Sequence, residues 1–338
     1  MGGRETVKGR VLRSHGGGGA QTRALVRELF LSRLGNPALD RLDDYGLVEA
    51  AGARLALTTD CFVVDPWAFP GGNLGDLAVC GTVNDLSMSG ATPLGLTAGF
   101  ILPEGFAFGD LEAIVDAMAR RAVEAGVAVV AGDTKVVESG CGPFVTTAGV
   151  GLVPQGLDIS GRNARVGDAV LLTGDIGRHG VAVLSCREGL SFATEVCSDV
   201  APLGGLVGAL VAAGLELHTL RDPTRGGLAE ALNEIAAQSG VEVEIEEARI
   251  PIDPAVQSAC DLLGLDPLHV ANEGCAVVFL PERQAVRALE ILGSHPAGVR
   301  ARRIGSVVGS QARVVARTAL GARRLVDAPS GELLPRIC

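Results

Sequence analysis

The sequence predicts a mixed α/β protein that folds as two domains and ends in a flexible tail. Its 338 residues suit two domains of ordinary size. Strand-like and helix-like runs follow one another along the chain, but they lack the strict βαβ alternation and the G-x-G-x-x-G motif of a Rossmann unit. A stretch with Pro154, Gly156 and Gly161, residues 153–166, interrupts these runs and is the predicted domain junction.

We therefore expect the chain to have four parts. Residues 1–40 form a mobile glycine-rich leader with a first helix, residues 41–155 an N-terminal domain and residues 156–326 a C-terminal domain. Residues 327–338 form the tail, since this segment contains Pro329, Gly331 and Pro335 and has neither helical nor strand periodicity.

The individual elements follow from the apolar pattern. Strand-like runs occupy residues 55–59, 127–131, 144–153, 169–173, 241–245 and 276–280. Helix-like runs occupy residues 111–124, 224–238, 254–263 and 283–292. The clearest helix, 111–124, has Asp110 as its predicted N-cap and presents one apolar face made of Leu111, Ile114, Val115, Met118 and Ala122.

Composition argues against several classes of function. Aromatic residues make up 3% of the chain and the formal net charge is −10, so neither a base-stacking surface nor a phosphate-tracking surface is expected and nucleic acid is not a predicted partner. The chain contains no uninterrupted run of 18 apolar residues, so no membrane span is expected. The N-terminus lacks the apolar core of a secretory signal. Eight cysteines without a C-x-x-C pair indicate reduced thiols in the cytoplasm.

Four aspartates stand beside small or polar residues that suit a nucleotide site. Asp60 and Asp133 follow strand-like runs, Asp85 ends Gly-Thr-Val-Asn-Asp, and Asp222 lies in Arg-Asp-Pro-Thr-Arg-Gly-Gly. Carboxylates are preferred Mg²⁺ ligands, and neighbouring glycines let backbone N–H groups approach phosphates. Any one of these aspartates could instead cap a turn, but four together favour a nucleotide–metal site. The predicted nucleotide-binding residues are Asp60, Asn84, Asp85, Gly132, Asp133 and Thr134.

Two further residues are candidates for acid–base or charge-stabilising roles. Lys135 follows the Gly132-Asp133-Thr134 turn, close to a proposed metal ligand. Glu273 precedes the apolar run 276–280 and could be a buried base, although the local sequence by itself favours a solvated turn.

The chain ends on a cysteine, Cys338. The position does not match a prenylation box, in which the cysteine is fourth from the end. The residue could be incidental, or it could be a nucleophile on a swinging arm, since 12 residues at about 3.3 Å each span up to about 40 Å.

Several motifs together resemble the HypE family of carbamoyl dehydratases, which act in hydrogenase maturation. The motifs are TTDCFVVDPWAFPGG, GTVNDLSMSGA, GDTKVV, RDPTRGG, ANEG and the terminal PRIC, and the resemblance runs from about Ser14 to Cys338. It implies the two-domain PurM-like fold shared with aminoimidazole ribonucleotide synthetase and selenophosphate synthetase, a homodimer, and the use of ATP with Mg²⁺.

The resemblance also implies a reaction and its partners. A carbamoyltransferase, HypF, would load a carbamoyl group onto Cys338, the chain would dehydrate it to a thiocyanate, and a HypC–HypD complex would receive cyanide for the iron of [NiFe]-hydrogenase. In this scheme Glu273 is the first candidate base and Lys135 stabilises the transferred phosphoryl group or orients the amide. The ligands of Mg²⁺ or nucleotide are Asp60, Asp85, Asp133 and Asp222.

Two other functions are compatible with the motifs. A phosphotransferase of the same superfamily, such as a selenophosphate synthetase or a thiamine phosphate kinase, would act on a diffusible substrate and would not need the terminal thiol. A nucleotide-responsive carrier would bind ATP without hydrolysing it, so phosphate release in the presence of a carbamoyl donor separates it from an enzyme.

Overall fold

The computed structural model describes residues 10–17, 19–138, 140, 142–189 and 196–328. The described part begins with a 3₁₀ helix (Arg13–Gly16), followed by α1 (Gly19–Leu25), a π-helical turn (Val26–Phe30) and α2 (Leu31–Leu34). The next strands and helices, in chain order, are β1 (Gly46–Ala50), β2 (Ala53–Phe62), β3 (Ala68–Phe69), β4 (Gly72–Asn73), α3 (Leu74–Met88), β5 (Thr92–Pro103), α4 (Phe108–Ala125), β6 (Val129–Val137) and β7 (Phe144–Val153).

The N-terminal sheet has five strands in the order β1-β2-β7-β5-β6. Only the β5–β6 pair is parallel among its neighbours, and the short strands β3 and β4 pair separately. Helices α3 and α4 pack together on one side of this sheet, where Leu96, Ala98 and Val145 are buried. On the other side, Leu57, Ile101 and Leu152 are each about two-fifths exposed, so this sheet face is open in the single chain.

The C-terminal part is built on a seven-stranded sheet in the order β14-β13-β10-β12-β8-β11-β9. Its elements, in chain order, are β8 (Asp168–Leu172), α5 (Arg178–Arg187), α6 (Gly204–Ala212), β9 (Thr219–Arg221), α7 (Gly227–Ser239), β10 (Glu242–Glu246), α8 (Pro254–Leu263), β11 (Val277–Pro281), α9 (Ala285–Gly293), β12 (Arg302–Gly309), β13 (Arg313–Arg317) and β14 (Arg323–Leu325).

Every predicted strand and helix corresponds to an observed element, but several boundaries differ. Strands β2 and β6 continue past Asp60 and Asp133, so these aspartates lie within strands and not in turns after them. Helix α4 begins one turn earlier than predicted, after Ala107, and Asp110 lies in its first turn without acting as the N-cap. A carboxylate at this position still interacts favourably with the helix dipole.

Several elements are absent from the predicted runs, among them β5, α5, α6 and β12, and the longest is helix α3. Every residue of α3 except Asp85 is buried, so the helix lacks the polar face that produces a detectable 3.6-residue period. Its first turn is capped by Asn73, whose Oδ1 accepts the backbone N–H groups of Gly75 at 2.7 Å and Asp76 at 3.3 Å. The Gly81–Asp85 segment, which contains the predicted nucleotide-binding residues Asn84 and Asp85, lies within this helix.

A continuous apolar core joins the two sheets. Leu86 and Met88 of α3 belong to the same buried cluster as Leu206 and Leu210 of α6 and Leu171 of β8. Burial of this much aliphatic surface holds the two parts firmly together. Polar groups from both parts can therefore share one site at their boundary.

Candidate functional site

A cavity of about 490 Å³ lies where the two parts meet, and six of its 14 lining residues are carboxylates. Three of the four predicted aspartates reach it, together with the predicted base. Its acidic lining residues are Asp43, Asp44, Asp60, Asp85, Asp222 and Glu273, and they are joined there by Thr58, Thr59, Cys61, Thr224 and Arg225.

These side chains come from four separate segments of the chain. Asp60 lies on β2 and Asp85 on α3, which packs against β2. The hydroxyl of Thr58 donates to Oδ2 of Asp85 at 2.8 Å. Asp222 follows directly after β9, and Glu273 lies in the turn before β11. The cavity is thus assembled from both domains, and neither domain alone contains it.

The carboxylates in this cavity are hard to ionise together. Burial raises the pKa values of Asp60 and Asp85 and of Glu273, and neighbouring carboxylates raise those of Asp85 and Glu273 further. The pKa of Asp222 is raised to about 6, chiefly by burial, with Arg221 acting in the opposite direction. Arg225 lowers the pKa values of Asp60 and Glu273 but does not offset the burial. The site therefore favours a bound cation, which would relieve the repulsion.

The donor set fits Mg²⁺ bound together with phosphates. Within the ranges that the structure describes, no three Asp, Glu, His or Cys side chains converge into a ready-made metal site. Mg²⁺ commonly takes one or two carboxylates and completes its shell with water and substrate phosphates. An apolar cavity of about 790 Å³ adjoins the acidic one and shares Asp44, Thr58 and Thr59 with it, which offers room for a nucleoside.

The other predicted aspartate, Asp133, does not reach this cavity. Across the sheet, Cys61 of β2 pairs with Thr146 of β7, Thr146 pairs with Gly99 of β5, and Gly99 pairs with Asp133 of β6. Cys61, which lines the cavity, is therefore three strand spacings of about 4.8 Å, or roughly 14 Å, from Asp133. Asp133 lies on the open sheet face, and its Oδ2 accepts a hydrogen bond from Nζ of Lys135 at 2.5 Å. Asp60, one residue from Cys61, faces the opposite side of the sheet.

The predicted nucleotide-binding residues near Asp133 share its location. Gly132 is adjacent to β5, and an added Cβ would lie 2.7 Å from the carbonyl oxygen of Ala98. The backbone N–H of Thr134 donates to Oδ1 of Asp133 at 2.8 Å. Within one chain, Gly132, Asp133, Thr134 and Lys135 therefore do not join the acidic cavity.

Asn84, a predicted nucleotide-binding residue, makes its hydrogen bonds away from the cavity in the single chain. Its Nδ2 donates to the carbonyl oxygens of Ala201 at 3.1 Å and Glu273 at 3.4 Å, and its Oδ1 accepts the N–H of Leu203 at 2.7 Å. The side chain is fully buried and does not line the cavity. Asn84 thus ties α3 to the C-terminal domain.

The sequence analysis did not single out three acidic residues that shape the site, Asp43, Asp44 and Asp199. Asp44 lines the cavity, and its Oδ1 lies 2.9 Å from Nη1 of Arg221. Asp199 accepts backbone hydrogen bonds from Glu273 and Gly274, and burial raises its pKa to about 6. The only signal for Asp44 was the Asp-Asp pair before β1, whereas Asp199 lies in a stretch without any motif.

The N-terminal segment lies beside the cavity. Nη1 of Arg225, a cavity-lining residue, donates to the carbonyl oxygen of Gly16 at 3.0 Å, and Arg23 of α1 forms an ion pair with Glu230 of α7. These contacts place the glycine-rich leader next to the predicted phosphate site.

The predicted carrier, Cys338, lies outside the described residues. The described chain ends at Ala328, and three hydrogen bonds hold its last residues, one of them from the backbone N–H of Val326 to the carbonyl oxygen of Val314 at 3.0 Å. Nδ2 of Asn233 donates to the carbonyl oxygen of Val326 at 2.9 Å, and Nε2 of His269 lies 3.1 Å from that of Asp327.

The fold and the interdomain site define a class of protein. Residues 42–153 match the N-terminal domain, and residues 165–317 the C-terminal domain, of the AIR synthase related proteins. The chain thus has the PurM-like fold that the family resemblance implied. None of the helices in the described ranges is both long and apolar enough to span a bilayer.

Relatives then identify the family. A carbamoyl dehydratase HypE from Azotobacter vinelandii is 52% identical over 327 residues, which are 96% of each chain. One from Cupriavidus necator is 51% identical over 98% of this chain and 95% of the relative. The chain belongs to the HypE family of carbamoyl dehydratases and is an enzyme of hydrogenase maturation.

Solved structures agree with this assignment. The chain matches a HypE–HypF complex with a TM-score of 0.87 and 49% identity, over 90% of this chain and all of that one. It matches a HypE structure in complex with ATP with a TM-score of 0.82 and 46% identity, over 96% and 98% of the two chains. A thiamine monophosphate kinase from Aquifex aeolicus, at 17% identity and a TM-score of 0.64, shares the fold alone.

Proposed function

We propose that this enzyme uses ATP to dehydrate a carboxamide carried on the thiol of Cys338, forming a thiocyanate that supplies the cyanide ligand for the iron of [NiFe]-hydrogenase. The observation that carries the proposal is the interdomain cavity, where Asp60, Asp85 and Asp222 meet Glu273. The ATP complex of a 46% identical relative supports ATP as the nucleotide. A HypF carbamoyltransferase is the proposed donor, in line with the relative crystallised in a HypE–HypF complex.

The reaction balances with one ATP per carboxamide. The thiocarboxamide oxygen attacks the γ-phosphorus of ATP, ADP leaves, and nitrogen loses one proton, which gives an O-phosphorylated thioimidate. Nitrogen then loses its second proton, the C–O bond breaks, and inorganic phosphate departs. The product is S–C≡N, and the elements of water leave within the phosphate.

The carboxylates of the cavity suit the first step. Asp60, Asp85 and Asp222 would hold Mg²⁺ together with phosphate oxygens, and Asp44 lies beside them. When bound, Mg²⁺ would neutralise part of the negative charge on the phosphates. Arg225 would add a positive charge beside the triphosphate, and the leader that it contacts through Gly16 would limit the access of water.

Glu273 suits the proton-transfer role. Burial and the neighbouring Asp222 and Asp199 raise its pKa well above its ordinary value, which makes it a stronger base than an exposed glutamate. Removing protons from nitrogen requires a base of this kind within hydrogen-bond reach of the docked tail.

We also propose a homodimer. All nine residues of β6 are exposed in the single chain, and the adjoining open face carries the apolar side chains of Ile101 and Leu152. Exposed edge strands and apolar faces of this extent invite pairing with another chain. A second copy covering the open face would bring its Asp133 and Lys135 towards the acidic cavity, which would restore the predicted role of both residues.

The remaining parts of the proposal concern where the product goes. The enzyme would act in the cytoplasm and deliver cyanide to a HypC–HypD complex that holds iron. Cys338 could enter the cavity of its own chain or that of the partner copy.

Intact mass spectrometry of the full-length chain tests the proposal. Incubation with a HypF carbamoyltransferase and its carbamoyl donor should add one carbamoyl group, and Mg²⁺ with ATP should then remove the mass of one water. Cys338→Ala should show neither change, whereas Cys186→Ala, which removes an exposed thiol elsewhere, should show both. A carbamoyl gain in Cys338→Ala would refute the carrier role, and loading without phosphate release would favour a carrier over an enzyme.

A further inference from the structure

The turn that bears Glu273 is held by a carboxylate outside the cavity. Both carboxylate oxygens of Asp199 lie 3.2 Å from the backbone nitrogen of Glu273, and Oδ2 lies 2.9 Å from that of Gly274. Asp199 itself does not line the cavity. Two consecutive backbone N–H groups thus converge on one anion, as in an anion-binding nest.

The same loop contacts the turn from its other side. The carbonyl oxygen of Glu273 accepts the backbone N–H of Ala201 at 3.3 Å, and Nδ2 of Asn84 lies 3.4 Å away. An added Cβ on Gly274 would lie 1.7 Å from the carbonyl oxygen of Asp199, so the close approach requires glycine. The peptide that carries Glu273 is therefore fixed at its N–H and at its carbonyl group.

We propose that Asp199 is a positioning residue for Glu273, because its carboxylate fixes the backbone of the 273–274 turn and thereby directs the Glu273 side chain into the cavity. This inference rests on the proposed role of Glu273 as the base. Misplacing a catalytic group by about 1 Å can lower a rate by about a hundredfold. Asparagine has the shape of Asp199 but only one acceptor oxygen, and its NH₂ group would face a backbone N–H.

The test uses the full-length chain loaded by the HypF carbamoyltransferase, with conversion of the thiocarboxamide followed by mass. Asp199→Asn should slow conversion by about tenfold to a hundredfold. It should leave carbamoyl loading unchanged and ATP affinity within about twofold, since the phosphate-site carboxylates are not altered. Asp168→Asn is the matched control: it removes a buried carboxylate that also accepts a backbone N–H, from Arg165 at 2.8 Å, away from the cavity.

A double mutant distinguishes positioning from general support of the fold. In a Glu273→Gln background, Asp199→Asn should cause no further slowing, because the group that it positions has already been removed. Equal slowing in both backgrounds, or a matching loss of ATP affinity, would overturn the inference while leaving the proposed function intact. Unchanged conversion in Glu273→Gln alone would overturn both the base assignment and the inference.

A second variant covers the case in which Asp199→Asn does not fold. Asp199→Ser is smaller than the native side chain and its hydroxyl can accept one N–H group. It should also slow conversion without weakening ATP binding, and a wild-type rate would overturn the inference.

Discussion

Replacing Asp222 by asparagine should stabilise the ligand-free enzyme while impairing its use of nucleotide. Asp222 is only 6% exposed, and its pKa is raised from 3.8 to about 6, with burial as the largest cause. That difference in pKa lowers the free energy of unfolding by about 3 kcal/mol when Asp222 is ionised. Asparagine cannot ionise and avoids this cost.

The sign and the pH range follow from the two pKa values. Below the unfolded pKa near 3.8 the group is protonated in both states and costs nothing. The cost grows as the pH rises towards about 6 and is constant above it. Asp222→Asn should therefore be more stable than the wild type by up to about 3 kcal/mol near pH 8, and by about half as much near pH 5.

Urea unfolding of the ligand-free protein in the presence of a chelator measures this difference at both pH values. The matched control, Asp168→Asn, should instead be destabilised, because the Asp168 carboxylate lies 2.8 Å from Nδ1 of His218 and accepts the N–H of Arg165. Mg²⁺ with ATP should raise the unfolding midpoint of the wild type more than that of Asp222→Asn. A variant less stable than the wild type near pH 8, or a difference independent of pH, would refute the electrostatic reasoning.

Two further substitutions test the domain boundary and the open sheet face. Asn84→Asp would place a carboxylate against two carbonyl oxygens in a fully buried position, and it should lower the free energy of unfolding by about 3 kcal/mol in a urea titration. The control is Asn233→Asp, at a half-buried amide that also donates to two carbonyl oxygens. It should lower the free energy of unfolding by less, because water can reach this position. Ile101→Arg on the open face should convert the proposed dimer to a monomer, as measured by light scattering. The control Val299→Arg, at a 63% exposed site in the C-terminal domain, should leave the dimer intact. A dimer that survives Ile101→Arg would exclude this face as the interface.

The apolar pattern predicted several elements that are exposed on one side. Helix α4 and strand β7 show their periods clearly, because one face of each meets the core and the other does not. Helix α3 was missed because both of its faces are buried, so its sequence lacks the alternation that marks a surface helix. The hydrogen bonds of the buried Asn84 could not be predicted either, because its partners lie in the C-terminal domain.

By itself, the sequence determined the family, the two-domain α/β class and the residue types that the chemistry needs, because these depend on motifs and local periods. Only the tertiary structure decided which of those residues meet. Strand register places Asp133 and Lys135 on the open face of the N-terminal sheet, and the packing of α3 against β2 brings Asp85 to Asp60. Contact between the domains adds Asp222 and Glu273 to the cavity. Asp199 lies outside it and accepts the backbone N–H of Gly274, next to Glu273. Register and domain packing are contacts between distant segments, so the pattern of any one segment does not show which partner it meets.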